Sequence, residues 1–326
     1  MNRRDCLAAL VALAAAPLAR AQAPEKLRRI GWLSSGSPAS HAGLLDGFRE
    51  GLKEYGWVEG RNIALELRWA EGNLDRLPSL AAELVRLKPD LIVTAANPVH
   101  IVARKATSTI PIVMATGADP VSSGLAASFA RPGGNVTGLS GFYDELPGKL
   151  LEFAAALMPR GARTTVLIDR SVPYLQGEGR KKLENMAKSF QLRAEYVEVA
   201  VPQDVWRVLA ASGKARPAAF IMLSSPMLFA LRDRIVREAA AVKVPVISVY
   251  DEMTDAGGLM SYAVDIRQSY RRAAYYVDRI LRGAKPGDLP IEQPTRISLA
   301  FNLKTARSFG IAIPPTLLSR ADRVIE

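Results

Sequence analysis

Cysteine is all but missing from this chain: Cys6 is the single one in 326 residues. A lone cysteine closes no internal disulfide and supplies neither a thiolate metal site nor a paired redox centre. Histidine is nearly as scarce. His41 and His100 stand without a second His or a Cys at ligand spacing, so a transition metal finds no donor set. Aromatic residues make up only 7% of the chain, and no basic stripe is interleaved with them. The densest basic runs are Arg180-Lys181-Lys182 and Arg271-Arg272, so the formal charge of +11 reads as a solvated basic surface. Nucleic acid is not expected as a partner. Nucleotide and hydrolase motifs are absent too. Gly177-Glu178-Gly179 has no third glycine, and Gly138-Leu139-Ser140-Gly141 is one residue short of a G-x-S-x-G elbow. Asn135-Val136-Thr137 matches a glycosylation sequon but reads as a turn. Acid pairs such as Asp251-Glu252 could serve glycoside hydrolysis, yet at a helix start they are usually caps. No cofactor is implied, no metal and no catalytic set; an enzyme with a dispersed site stays open as an alternative.

Long apolar runs are missing with one exception. Cys6 to Leu18 reads CLAALVALAAAPL, 13 residues, short of the ~20 that span a bilayer. Arg3 and Arg4 precede it and Ala19-Arg20-Ala21 follows, which completes the three parts of a secretory leader. The expectation is a signal peptide over 1–21, a mature chain from Gln22, and a periplasmic protein exported by Sec or the twin-arginine route. The mature charge is then +9, because Arg3, Arg4 and Arg20 leave with Asp5. It holds 305 residues, enough for about two domains, each with its own core.

What remains alternates strand and helix. RIGWLS (29–34), Ile63–Trp69, LIVTA (91–95), PIVMA (111–115) and VTGL (136–139) are strand-like. Between them, Leu44, Phe48, Leu52 and Tyr55 recur at helical spacing, as do Leu77, Leu80, Ala81, Leu84 and Val85. A further helix is expected from Pro98 to Thr107, and another from an Asp119-Pro120 cap to Phe129. After a helix over 145–158, a second series follows: TTVLI (164–168), AEYVEV (194–199), AAFIML (218–223) and VPVISV (244–249), with helices near 174–190, 203–212 and 226–241. The strand runs are almost continuously apolar, the mark of sheets covered on both faces. The pattern predicts an α/β protein of two doubly wound parallel-sheet lobes; a closed eight-unit barrel is the competing architecture.

Open parallel sheets bind ligands beyond the carboxyl ends of their strands. Here those ends are small and polar: Ser34-Ser35-Gly36-Ser37, Thr94 to Asn97, Thr116 to Asp119, Asp169-Arg170-Ser171, Ser224-Ser225 and Tyr250-Asp251-Glu252. Any one of them could be only a helix cap. The set as a whole points to a cleft that holds a polar or carboxylate-bearing small molecule through hydroxyls and helix N-termini.

Long stretches resemble a known family. They are LLDGFREGLKEYGWVEGRNI (44–63), ADPVSSGL (118–125), RPGGNVTG (131–138), AGGLMSY (256–262), YVDRILRGAKPGDLPIEQPT (276–295), FNLKTARSFGIAIPP (301–315) and LLSRADRVIE (317–326). The family is the ABC transporter substrate-binding proteins that include tryptophan and tyrosine binders. The resemblance implies a type I periplasmic-binding fold, no catalysis, and a monomer that meets the membrane only through an ABC permease and its ATPase. A protein sensing its ligand without a transporter is the alternative. It also implies an N-terminal lobe of 27–140 plus 258–285 and a C-terminal lobe of 141–257 plus 286–326. A hinge of crossovers near Gly138–Phe142, Ala256–Gly258 and Lys285–Asp288 would close on ligand. By the same resemblance the ligand would meet Ser35, Asn97, Thr116, Asp119, Asp169, Ser171, Tyr174, Ser224, Ser225 and Tyr250. Aromatic amino acid binders would carry a carboxylate where Ser225 stands and a glycine where Ala263 stands.

Overall fold

The computed structural model describes residues 27–141, 145–172, 175–294 and 297–326; the expected leader, Phe142 and Tyr174 lie outside them. The chain opens with β1 (Arg28–Ser34), α1 (Ala42–Glu54), β2 (Ile63–Trp69), α2 (Leu77–Arg86), β3 (Leu91–Ala95), α3 (Asn97–Ala106), β4 (Ile112–Thr116) and β5 (Val136–Gly138). It continues with α4 (Leu146–Leu157), β6 (Arg163–Asp169), α5 (Gly177–Ser189), β7 (Arg193–Val199), α6 (Pro202–Ala215), β8 (Ala219–Met222), α7 (Pro226–Ala230), α8 (Arg232–Ala241) and β9 (Val246–Ser248). The last elements are α9 (Asp251–Asp255), β10 (Met260–Ala263), α10 (Ile266–Leu281), β11 (Ser298–Asn302), α11 (Leu303–Phe309), α12 (Pro315–Leu318) and β12 (Arg323–Ile325).

Two sheets form, ordered β2-β1-β3-β4-β5 and β12-β11-β10-β9-β8-β6-β7. All pairs are parallel except β10 with β11. Strands such as β3, β4, β6 and β8 are buried along almost their whole length, as parallel sheets require when helices cover both faces. These are two α/β lobes and not a closed barrel.

The lobes are not cut where the resemblance placed them. Ala256–Gly258 is a turn inside the second lobe: Gly258 N donates to Met253 O (2.8 Å), and β10 then pairs with β9, Met260 opposite Ile247. The chain therefore leaves the second sheet only after Ala263. Lys285–Asp288 is no crossing either. Residues 287–292 run along the first sheet, with Thr137 Oγ1 donating to Leu289 O (2.7 Å), Glu292 N to Gly138 O (3.0 Å) and Ser140 N to Glu292 O (2.9 Å). Arg272 of α10 grips the Glu292 carboxylate in a two-pronged pair (2.7 and 3.0 Å), fixing that segment to the first lobe.

α10 completes the first lobe by packing on α1. Gly47 and Gly51 let the two helices touch: a Cβ on Gly51 would stand 2.2 Å from Arg271 O. Arg267–Glu50 and Arg271–Glu54 pairs flank that contact.

The helix expected over 119–129 does not form; the segment is turns. Ser123 Oγ takes the Asp119 carbonyl (2.7 Å), and Gly124 in the left-handed region (φ +68°) closes the segment after one turn.

Candidate functional site

The carboxyl ends of both sheets face each other across a cleft, whose innermost part is a cavity of about 90 Å³. From the first lobe come Ser35 after β1, His41 and Leu44 at the start of α1, Ala95 to Pro98 at the β3–α3 junction, and Thr116 to Ala118 after β4. Ile266 and Tyr270 of α10 add an apolar wall. From the second lobe come Ser171 and Val172 after β6, Ser224, Pro226 and Phe229 after β8, and Tyr250 after β9. Wider hollows of about 820 and 860 Å³ flank the cavity and share lining residues with it. No lysine, arginine or carboxylate lines the inner cavity among the described residues.

Phe229, Tyr250 and Tyr270 bring aromatic rings to its walls. Tyr270 stacks on Trp32 (centroids 5.3 Å, 28°), and Trp32 in turn touches Phe48 and Trp69. On the other side Phe229 meets Tyr250 edge-on at 5.0 Å and His41 at 5.6 Å. Burial, and then the Arg232 guanidinium nearby, hold the His41 imidazole down to about 4, so it is neutral near pH 7.

The first-lobe loops are braced from beneath. Buried His100 donates from Nε2 to Thr116 O (2.9 Å) and accepts at Nδ1 from the Thr94 hydroxyl (2.7 Å). The acceptor-only carbonyl settles that tautomer. Burial depresses this histidine too, to about 4. Ala96 sits at φ +69° where α3 begins, a costly conformation for a residue with a side chain.

The ten residues implied by the resemblance divide. Ser35, Asn97, Thr116, Ser171, Ser224 and Tyr250 line the cavity. Asn97 and Tyr250 have other commitments, and the Ser224 hydroxyl is bonded to Tyr250 Oη (3.3 Å). Asn97 Oδ1 accepts from Ala118 N (2.9 Å) and its Nδ2 donates to Ser123 (3.0 Å), so its side chain shapes the loop. Tyr250 Oη accepts from Ser225 N (2.7 Å) and donates to Ser225 O (3.1 Å), which leaves its ring to the cavity. Ser171 differs: its Oγ is buried without a hydrogen-bond partner.

Asp169 and Ser225 do not line the inner cavity. They pair beneath it: Ser225 Oγ donates to Asp169 Oδ2, while Asp169 Oδ1 accepts from Ser171 N (2.8 Å) and Ser225 Oγ caps α7 through Leu228 N (3.0 Å). Asp119 caps its own turn at Val121 N (2.8 Å), and Tyr174 lies outside the described residues. Arg170 turns to Glu198 (3.6 Å), away from the inner cavity. The sequence reading missed His41, Phe229 and Tyr270. Only His41, a solitary histidine at a helix start, carried a signal.

No helix among the described residues is long and apolar enough to cross a membrane, and no group of His, Cys, Asp or Glu there is placed to hold a metal ion.

Residues 37–325 match the family model described as ABC transporter substrate binding protein. A tyrosine-binding protein of Clostridioides difficile is 24% identical over 274 residues, 81% of this chain and 76% of that one. Among solved structures, the ABC domain in complex with L-Trp from Streptococcus pneumonia superposes with a TM-score of 0.81 at 24% identity, over 92% of this chain and 100% of that one. A conserved domain protein from Vibrio cholerae gives 0.82 at 25% identity, again over 92% and 100%.

Proposed function

Because this chain belongs to the ABC transporter substrate-binding protein family, whose members bind solutes and do not catalyse, we propose that it captures a flat, largely apolar small molecule bearing a carboxylate or similar acceptor. It delivers that ligand to an ABC permease and its ATPase from the periplasm. The observation that carries this reading is Ser171 Oγ, a buried hydroxyl without a partner beside a cavity whose lining includes the rings of Phe229, Tyr250 and Tyr270. A buried polar group left unpaired costs about 1–3 kcal/mol, and a ligand acceptor at that point would recover it. Ser35 lies across from it on the other lobe, also buried, so one ligand group bridging both hydroxyls would favour closure. Phe229, Tyr250 and Tyr270 suit an aromatic body. The L-Trp complex and the tyrosine-binding relative support an aromatic ligand.

A thermal-shift screen of aromatic amino acids, aromatic acids and short aliphatic carboxylates tests the class. An aromatic acid or amino acid should raise the melting temperature; if only aliphatic compounds do, or none does, the reading fails. With the hit in hand, Ser171→Ala and Ser35→Ala should each weaken binding about 10-fold by calorimetry, the worth of one hydrogen bond. Their melting temperatures without ligand should stay near that of the parent. Parent-like affinity in both would remove the two serines from the site.

The compartment has its own test. Mass spectrometry of the protein from its native host should find Gln22 at the N-terminus in the periplasmic fraction. An intact Met1 in the cytoplasm would overturn the assignment.

A further inference from the structure

At the rim of the cleft one half-buried cation reaches across from the second lobe to the first. Arg232, at the start of α8, is only 17% exposed. Its Nη1 donates to Phe229 O (2.9 Å) and to Ser40 O of the first lobe (3.2 Å), and its guanidinium lies over the Phe229 ring at 4.5 Å. Phe229 in turn meets His41 edge-on at 5.6 Å. On the first lobe, Ser40 Oγ is bonded to His41 Nδ1 (2.9 Å), and the ring lies so close to Gly36 that a Cβ there would stand 2.1 Å from it. Each half is thus a local unit, Ser40-His41 on one loop and Phe229 to Arg232 at the α7–α8 junction.

We propose that Ser40, His41, Phe229 and Arg232 form a clasp that holds the two lobes shut, and that protonating His41 releases it. Arg232 is a positioning residue: it does not line the inner cavity, yet it ties together the lobes that enclose it. The contacts exist only when the lobes meet, and because each half is prefolded, closing orders little that was free before.

Charge explains the release. His41 is enclosed by Trp69, Leu44 and Phe229, none of which bears a charge, and the nearest charged group is the Arg232 guanidinium. Behind Arg232 stand Asp233, at 4.0 Å, and Glu252 of α9; Glu71 and Asp75 line the hollow outside. An imidazolium here would face a guanidinium in an apolar setting. Burial and Arg232 depress His41 to about 4 in the closed form, against ~6.5 when solvated. The closed form therefore binds fewer protons. Its advantage is complete above about pH 6.5 and is lost as pH falls toward 4, with a closed-to-open ratio up to about 30-fold lower at pH 5.

The clasp rests on the capture reading for its purpose, but its test needs no ligand. Glu71→Cys and Gln203→Cys place spin labels across the cleft mouth in the secreted protein, both at exposed positions. Pulsed electron resonance at pH 7.5 should show a short-distance population that falls by about 10-fold or more, relative to the long one, at pH 5. Arg232→Ala should lower it about 10-fold already at pH 7.5. His41→Gln should keep the same population at both pH values, and melts confirm that each variant is folded. The clasp is overturned if the parent shows no short population at pH 7.5, or if Arg232→Ala leaves it unchanged. A His41→Gln variant that opens on acidification as the parent does would sink the histidine's role. Failure of the ligand screen would refute solute capture and leave these outcomes standing.

Discussion

His100→Ala is expected to lower the unfolding free energy by about 3 kcal/mol and to remove part of the protein's acid sensitivity. The side chain is fully buried between the Thr94 hydroxyl and the Thr116 carbonyl. Alanine would open a cavity of ring size and strand a buried hydroxyl, and each of these costs on the order of 1–3 kcal/mol. The acid response follows from linkage. His100 titrates near 4 when folded and near ~6.5 when unfolded, so the unfolded chain holds the extra proton between those values. The stability that this neutral ring contributes is complete above about pH 6.5 and falls as pH drops through that window, by about 2 kcal/mol at pH 5. Urea unfolding at pH 7 and pH 5 measures both effects. The argument fails if the alanine variant loses under 1 kcal/mol, or if its stability falls with acidification as steeply as the parent's.

A larger loss is expected at the first crossover. Gly138 holds φ +125°, and a Cβ on it would lie 2.2 Å from Met114 O and 2.6 Å from Met114 N. Both obstacles are backbone atoms of the neighbouring strand, which cannot swing aside as a side chain would. Gly138→Ala must therefore push β5 off β4 or rotate its own backbone, and the ladder from Glu292 N to Gly138 O would be disturbed with it. The expected cost is about 4 kcal/mol or more, or no folded protein at all. Gly134→Ala is the control, since a Cβ there meets nothing within 4 Å. It should stay within about 1 kcal/mol of the parent by denaturant unfolding. Similar losses in the two variants would mean that backbone crowding at β5 is not the cause.

The alternation of strands and helices was legible because burial on both faces leaves nearly unbroken runs such as LIVTA, which β3 realises residue for residue. Crossovers were less so. Gly257-Gly258 has the composition of a linker but makes the turn into β10, and only sheet pairing distinguishes the two. The cleft was half legible. Strand-end polarity located Ser35, Thr116, Ser171 and Ser224, since a strand's end fixes where its next residue goes. It could not show that Asp169 and Ser225, 56 positions apart, would consume each other's hydrogen bonds. Tyr270 and Phe229 were invisible for a different reason. An apolar residue at helical spacing reads alike whether it fills the core or faces a cavity.

The placement of α10 has a consequence for the order in which the chain can fold. α1 exposes its apolar face until α10 covers it, and α10 begins about 210 residues after α1 ends. A ribosome-bound chain that stops at Ala263 already carries β6 to β10 and the helices between them, a contiguous sheet lacking only β11 and β12. The lobe made second can thus assemble first, and once compact it brings the ends of the long intervening segment near each other. The lobe made first must wait, with the side of α1 around Gly47 and Gly51 uncovered. During biosynthesis this protein's aggregation-prone surface belongs to its earliest residues, and chaperones or the export machinery would meet it there.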